Sequence, residues 1–335
     1  ITTVADDITS ENIDEVYPQY FPKQNTELEA YQQIEKDLLD AVLYAPDNTP
    51  GNKTLFSKSV ARTLLAKIYA EKPLRDYTKV IQYCDEVKAD GFDLVDDFSD
   101  LFGMNAAGTD AKMRNTKESI LEAQFTSGAG NWCTWMFGRD LVNWNNNFTW
   151  AKWVTPSRDL ISAFKQEGDE VRFKESIVYY DCNWSNYYPS DNYPFMYKCR
   201  SANSSIIKYR YADVLLLKAE ALIMQDTPDL EGAADIIDEV RDRAKLGALP
   251  TSVRSNKNAM LNALLKERRL ELAFEGQRWF DLVRLDKVEE VMNAVYSKDS
   301  GRKAQIYTFD KNSYRLPIPQ SVIDANDKIH QNPGY

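Results

Sequence analysis

Apolar positions recur every three to four residues in three stretches of the chain, and between them that period is lost. From Thr26, T-E-L-E forms a capping box with Glu29, and Leu28, Tyr31, Ile34, Leu38 and Val42 make an apolar stripe that Pro46 closes. A polar turn at 47–53 leads to a second helix over 57–70, with Ala61, Leu64, Leu65, Ile68 and Tyr69 on its inner face. Pro73 breaks it and Asp76 caps the next helix. Val80, Ile81, Cys84 and Val87 then face inward until Gly91.

Short turns between such helices imply antiparallel pairs. Ala66 and Tyr69, followed by a second apolar helix, resemble a tetratricopeptide unit, in which small residues let two helices approach closely. A second pair of this character runs 211–225 and 229–246, with Leu215, Leu216, Ala219, Leu222, Ala233, Ile236, Ile237 and Val240 inside. The pairs are far apart and share no fixed period, so the pattern predicts a mostly α protein: pieces of an α-α superhelical scaffold, not a continuous array. The third stretch, 258–284, reads as one long amphipathic helix on Leu261, Leu264, Leu265, Leu272 and Phe274. Its charges, Glu267, Arg268, Glu271, Glu275, Arg278, Asp281 and Arg284, repeat at three or four residues. They fit a helix laced with ion pairs around a kink at Gly276, or a carboxylate-binding site.

Between the helical stretches the chemistry changes. SILEAQF (119–125) is extended, a short helix starts at Thr155-Pro156 and ends at Gly168, and 176–180 is extended again. The segment 131–153, NWCTWMFGRDLVNWNNNFTWAKW, is an irregular loop holding five of the seven tryptophans: Trp132, Trp135, Trp144, Trp150 and Trp153. Asparagines 131, 143, 145, 146 and 147 lie among them. A second aromatic loop, 181–200, carries Trp184, Tyr187, Tyr188, Tyr193, Phe195 and Tyr197. Flat apolar faces beside amide donors and acceptors suit a ligand with CH faces and hydroxyls, which is a sugar. The plainer alternative is that many of these rings plug gaps in the core, as large aromatics commonly do. Long loops on a helical scaffold are uncommon without a function.

Composition narrows the chemistry. A net charge of −10 argues against nucleic acid or an anionic membrane surface as the main partner and favours neutral ligands over phosphorylated ones. No apolar run approaches the roughly 18 residues of a membrane helix. The single histidine, His330, excludes HExxH and His-rich metal sites and leaves no histidine triad outside the tail. Cysteines 84, 133, 182 and 199 lack metal spacing; Cys182 and Cys199 flank the second aromatic loop, as a disulfide or as buried thiols. DLVDDFSD (93–100) offers carboxylates for calcium, or is a solvated acidic turn. No cofactor or metal is expected.

Four motifs in order, YADVLLLKAEAL (211–222), ERRLELAFEGQRWFDLVR (267–284), LPIPQ (316–320) and QNPGY (331–335), resemble the SusD/RagB family. The resemblance covers 26–335 and is best after Ile206. It implies a single domain: helix pairs of tetratricopeptide type at 26–90, a loop-rich ligand-binding region at 91–205 and the family's C-terminal region at 206–335. Family members are longer and begin with a lipoprotein signal, so the chain is expected to lack an N-terminal portion. The resemblance further implies an outer-membrane surface lipoprotein, not an enzyme, that binds oligosaccharide for a SusC-like TonB-dependent transporter. Contact with the membrane would come only through a lipid anchor in the missing part.

The motifs themselves are scaffold in that family, so the ligand residues are expected in the two loops. The candidates are Trp132, Trp135, Trp144, Trp150 and Trp184 as ring platforms, with Tyr187, Tyr188 and Tyr193 beside them. Arg139, Asn145 and Asn147 would bond hydroxyls. Two other functions stand against this one. A RagB-like importer component would bind peptide. A glycoside hydrolase would need paired carboxylates about 5–5.5 or 6.5–9.5 Å apart, and no motif points to such a pair.

Overall fold

The computed structural model describes residues 7–125, 141–143, 154–183, 187–298 and 308–335. The expected caps set the first three main helices. Thr26 and Glu29 close a capping box on α1 (Glu27–Tyr44), Ser57 caps α2 (Lys58–Ala70), and Asp76 accepts from two backbone amides at the start of α3 (Tyr77–Ala89). Only part of the predicted α1 stripe is inward. Leu38 is buried and Tyr31 and Val42 pack on the core, whereas Leu28 and Ile34 are exposed. At about 100° per residue these two sit about 60° to either side of the packed line, beyond the reach of α2.

After β1 (Ser119–Ala123) come α4 (Arg158–Glu167), α5 (Glu170–Ser176), β2 (Ile177–Tyr180), β3 (Tyr193–Met196) and β4 (Ile206–Arg210). The helix expected to start at Thr155-Pro156 begins later, because Ser157 supplies the cap to Leu160 N–H. It ends at Gly168, whose φ of 69° is the left-handed C-cap that favours glycine. β1 pairs with β4 and β2 with β3, both antiparallel, so part of the second aromatic loop is a hairpin arm with Tyr180 opposite Tyr193.

The second helix pair is α6 (Tyr211–Met224) and α7 (Leu230–Arg243), followed by α8 (Lys257–Glu271), α9 (Arg278–Arg284) and α10 (Val288–Lys298). The two pairs, distant in sequence, share one core: α3 lies on α6, and the Cys84 thiol lies 3.5 Å from the Val214 carbonyl. Val60, Leu65, Val80, Leu216, Ile237 and Leu264 meet in it without solvent exposure. α6 is buried on nearly every side, the property of a helix central to a stack.

The expected single helix over 258–284 is two. Phe274 at φ 66° and Gly276 at φ 77° form a left-handed elbow that no continuous helix can pass. The charges of this segment are interior rather than a solvated lattice. Arg210 meets Glu118 at 2.7 Å, Glu271 at 2.5 Å and Glu275 at 2.7 Å. Arg172 meets Asp169, Glu267 and Glu271, while Arg243 reaches Glu118 and Glu271. A second knot joins Arg268 to Asp213 and Asp281, and Arg284 to Asp281 and Glu220. Burial alone would raise the Glu271 carboxyl, but Arg243, Arg210 and Arg172 hold it well below its ordinary value. These groups tie α5, β1, β4, α6, α7, α8 and α9 together.

The acidic turn at 93–100 is engaged locally. Lys117 pairs with Asp93 and Asp96, Lys112 with Asp97 and Asp100, and Asp97 accepts from Ser99 N–H. Among the described residues no cluster of His, Cys, Asp or Glu is arranged to hold a metal, and no helix is long and apolar enough to cross a membrane. Cys182 and Cys199 are buried, and no disulfide joins them.

Candidate functional site

The start of α4 and the β2–β3 hairpin build an aromatic cluster. Arg158 follows the capping Ser157, and its guanidinium lies 4.3 Å from the Tyr187 ring centre and 4.2 Å from that of Tyr188. It also donates to the Tyr187 carbonyl. The two rings meet edge to face at 4.9 Å, and the Tyr188 hydroxyl donates to the Pro156 carbonyl at 2.8 Å. Both tyrosines are half-buried, leaving part of each accessible beside a fixed positive charge. Arg158 carries no sequence signal of its own, because Thr155-Pro156 offers a helix start that would place it further inside the helix.

Tyr193 differs from its neighbours. It is 1% exposed, packs against Tyr188 and Phe195, and its hydroxyl is 3.0 Å from that of Thr155. Burial raises its pKa. Its ring is a wall of the core rather than an open face. The strand is buried along its whole length, and Tyr193, opposite Tyr180 in the hairpin, packs with Leu141 and Cys182.

Trp132, Trp135, Arg139, Trp144, Asn145, Asn147, Trp150 and Trp184 lie outside the described residues. The midpoint of the tryptophan-rich segment is described, and it is anchored on the second loop. Leu141 is completely buried against Cys182, Tyr193 and Phe195. Its N–H donates to the Arg200 carbonyl at 2.7 Å, and its carbonyl accepts from the Tyr180 hydroxyl at 2.6 Å. At the far side Thr155 touches Tyr193. The two loops singled out in the sequence are therefore joined through Leu141, and Thr155, just past the first loop, adds a contact to the second. Arg200, stacked 3.7 Å from the Tyr197 ring centre and paired with Glu175, stiffens the base.

Stacked helix pairs of tetratricopeptide character beneath a loop-borne aromatic cluster define an α-superhelical scaffold. Residues 190–335 match the model of the SusD family. SusD-like protein P38 of Formosa agariphila is 42% identical over 99 residues, a segment that is 28% of this chain and 19% of that relative. A solved SusD homologue from Bacteroides thetaiotaomicron superposes with a TM-score of 0.73 at 22% identity, over 93% of this chain and 71% of that one. A structure described as a laminarin-binding SusD-like protein gives 0.66 at 25% identity, over 92% and 69%. The SusD family likeness in sequence is thus carried by residues 190–335, and the fold of the described residues is SusD-like. The matched segment spans under a fifth of P38.

Proposed function

We propose that this protein binds oligosaccharide at the cell surface without acting on it chemically, for import through a SusC-like TonB-dependent outer-membrane transporter. The observation that carries the reading is the joining of the two aromatic loops through Leu141, Tyr180 and Arg200, beside the half-buried Tyr187 and Tyr188. Rings at that junction offer stacking faces, and the asparagines of 143–147 offer hydroxyl partners. The laminarin-binding relative supports a glycan as the ligand class. Trp132, Trp135, Trp144, Trp150, Trp184, Tyr187 and Tyr188 are the proposed platforms, with Arg139, Asn145 and Asn147 as polar contacts. Tyr193 holds the platform from beneath. Two or three stacked rings give affinity in the micromolar to millimolar range, at roughly 1 kcal/mol each beyond area burial.

The test is intrinsic tryptophan fluorescence and affinity electrophoresis of the folded protein over a panel that includes laminarin. A shift with at least one glycan, and no release of shorter sugars on prolonged incubation, is the expected result. Silence across the panel together with binding of a mixed peptide library would replace the reading with peptide import. Released sugar would make the protein a hydrolase.

A further inference from the structure

The elbow between α8 and α9 borders a cleft of about 370 Å³, open to solvent. Leu160, Phe274 and Trp279 give it apolar walls, and its lining among the described residues includes Arg268, Arg269 and Arg278 but no Asp or Glu. That is unusual in a chain with 51 acidic and 41 basic residues. Two of the arginines are already neutralised. Arg268 meets Asp213 at 2.8 Å and Asp281 at 2.9 Å, and Arg269 meets Asp159 at 2.5 Å.

Arg278 has no carboxylate within ion-pair distance among the described residues. Among the described residues its guanidinium, with five N–H groups, gives one hydrogen bond, 2.9 Å to the Leu265 carbonyl. Burial first, and then the charge of Arg269, pulls it down to about 10. An anion seated beside it would relieve both effects. The elbow is also strained: Phe274 is a bulky side chain at φ 66°, a sparsely populated conformation that clusters at ligand sites.

The cleft adjoins the aromatic cluster. Ser157 lines it one residue before Arg158, and Leu160, Phe274 and Tyr188 pack on the same hydrophobic group. We infer that the elbow cleft is a subsite for an oxyanion-bearing sugar unit, a uronate or sulfate ester, with Arg278 binding the oxyanion between the Phe274 and Trp279 walls. The inference rests on the glycan-binding reading above. A planar guanidinium with unused donors suits a two-pronged bond to such a group. The net charge of −10 repels a polyanion at long range, so recognition here is of single acidic units within a largely neutral chain.

The experiment compares a galacturonate oligomer with the matching neutral galactose oligomer, by calorimetry, on wild type, Arg278→Gln and Arg278→Lys. Arg278→Gln should weaken the acidic oligomer by about tenfold or more and leave the neutral one within about twofold. Arg278→Lys should recover part of the loss. A sulfated oligomer taking the place of galacturonate, with the same dependence on Arg278, would identify sulfate as the oxyanion. Equal losses for both oligomers, or no loss, would overturn the subsite and leave the glycan reading standing. Binding of neither oligomer type to wild type, nor of laminarin, would remove the glycan reading and the subsite with it. Should Arg278→Gln fail to fold, wild type decides: acidic preference that shrinks in molar salt supports the subsite, and equal binding at low salt ends it.

Discussion

The Tyr180 hydroxyl donates to the Leu141 carbonyl at 2.6 Å, across 39 positions of sequence. This bond pins the middle of the tryptophan-rich segment to the hairpin that carries Tyr187 and Tyr188. Tyr180→Phe should cost about 1 kcal/mol in urea denaturation, the ordinary net value of one hydrogen bond. It should also weaken glycan binding, because the Leu141–Arg200 backbone bond that remains holds the two loops together less firmly. Unchanged affinity would show that the loops bind independently of one another.

Trp144 is the first ring to remove. Trp144→Ala, and separately Tyr187→Ala, should each lower affinity in electrophoresis by roughly twofold to tenfold, the equivalent of about 0.5–1.5 kcal/mol. Tyr193→Phe should leave affinity close to wild type. Its ring is buried and stays in place, while its hydroxyl contact with Thr155 is lost.

Glu271 sits among Arg172, Arg210 and Arg243 with no solvent exposure. Glu271→Gln leaves these cations short of a counter-charge and should cost about 3–5 kcal/mol, the range for breaking a buried pair. The sign with pH follows from its lowered pKa. A carboxylate depressed below its ordinary 4.5 lends stability that is present above that value and lost as pH falls through the folded value. Asp213, Glu275 and Asp281 are depressed as well, whereas Asp169 and Glu267 are raised and oppose the trend. Wild-type urea midpoints should therefore fall from about pH 5 to pH 3, and more steeply than those of Glu271→Gln.

Gly276→Ala isolates the elbow. A Cβ there meets nothing within 4 Å, so crowding adds no cost and the φ of 77° supplies it. Thermal unfolding should show a loss of about 1–2 kcal/mol. A neutral result would mean that the elbow relaxes.

The helical scaffold was readable because its signals are local. Thr26 with Glu29, Ser57, Asp76, Asp229 and Gly168 each act on backbone groups within four residues of themselves, and each sits at an observed helix end. The family motifs are legible for the same reason, being contiguous runs. The elbow was read as a kink because Gly276 alone signals it, whereas the left-handed Phe274 that completes it carries no sequence mark. The N-terminal cap of α4 lies two residues beyond Thr155, since Thr155 and Ser157 both carry a hydroxyl and the sequence does not choose between them. Arg158 is unmarked for the same reason.

By itself, then, the sequence determined a mostly α protein with capped helix pairs, two aromatic loops and the chemistry those loops can offer. Periodicity, caps and ring content are properties of neighbouring residues. The tertiary structure alone decided that α3 meets α6, that the arginines and glutamates of α8 are buried as a network, and that Leu141 joins the two loops. It also left Arg278 in an open cleft without a carboxylate partner among the described residues, while Arg268, ten positions earlier on the same amphipathic pattern, received two. Identical side chains acquired opposite roles because burial and partner charge depend on residues from distant parts of the chain, and no local pattern encodes that distance.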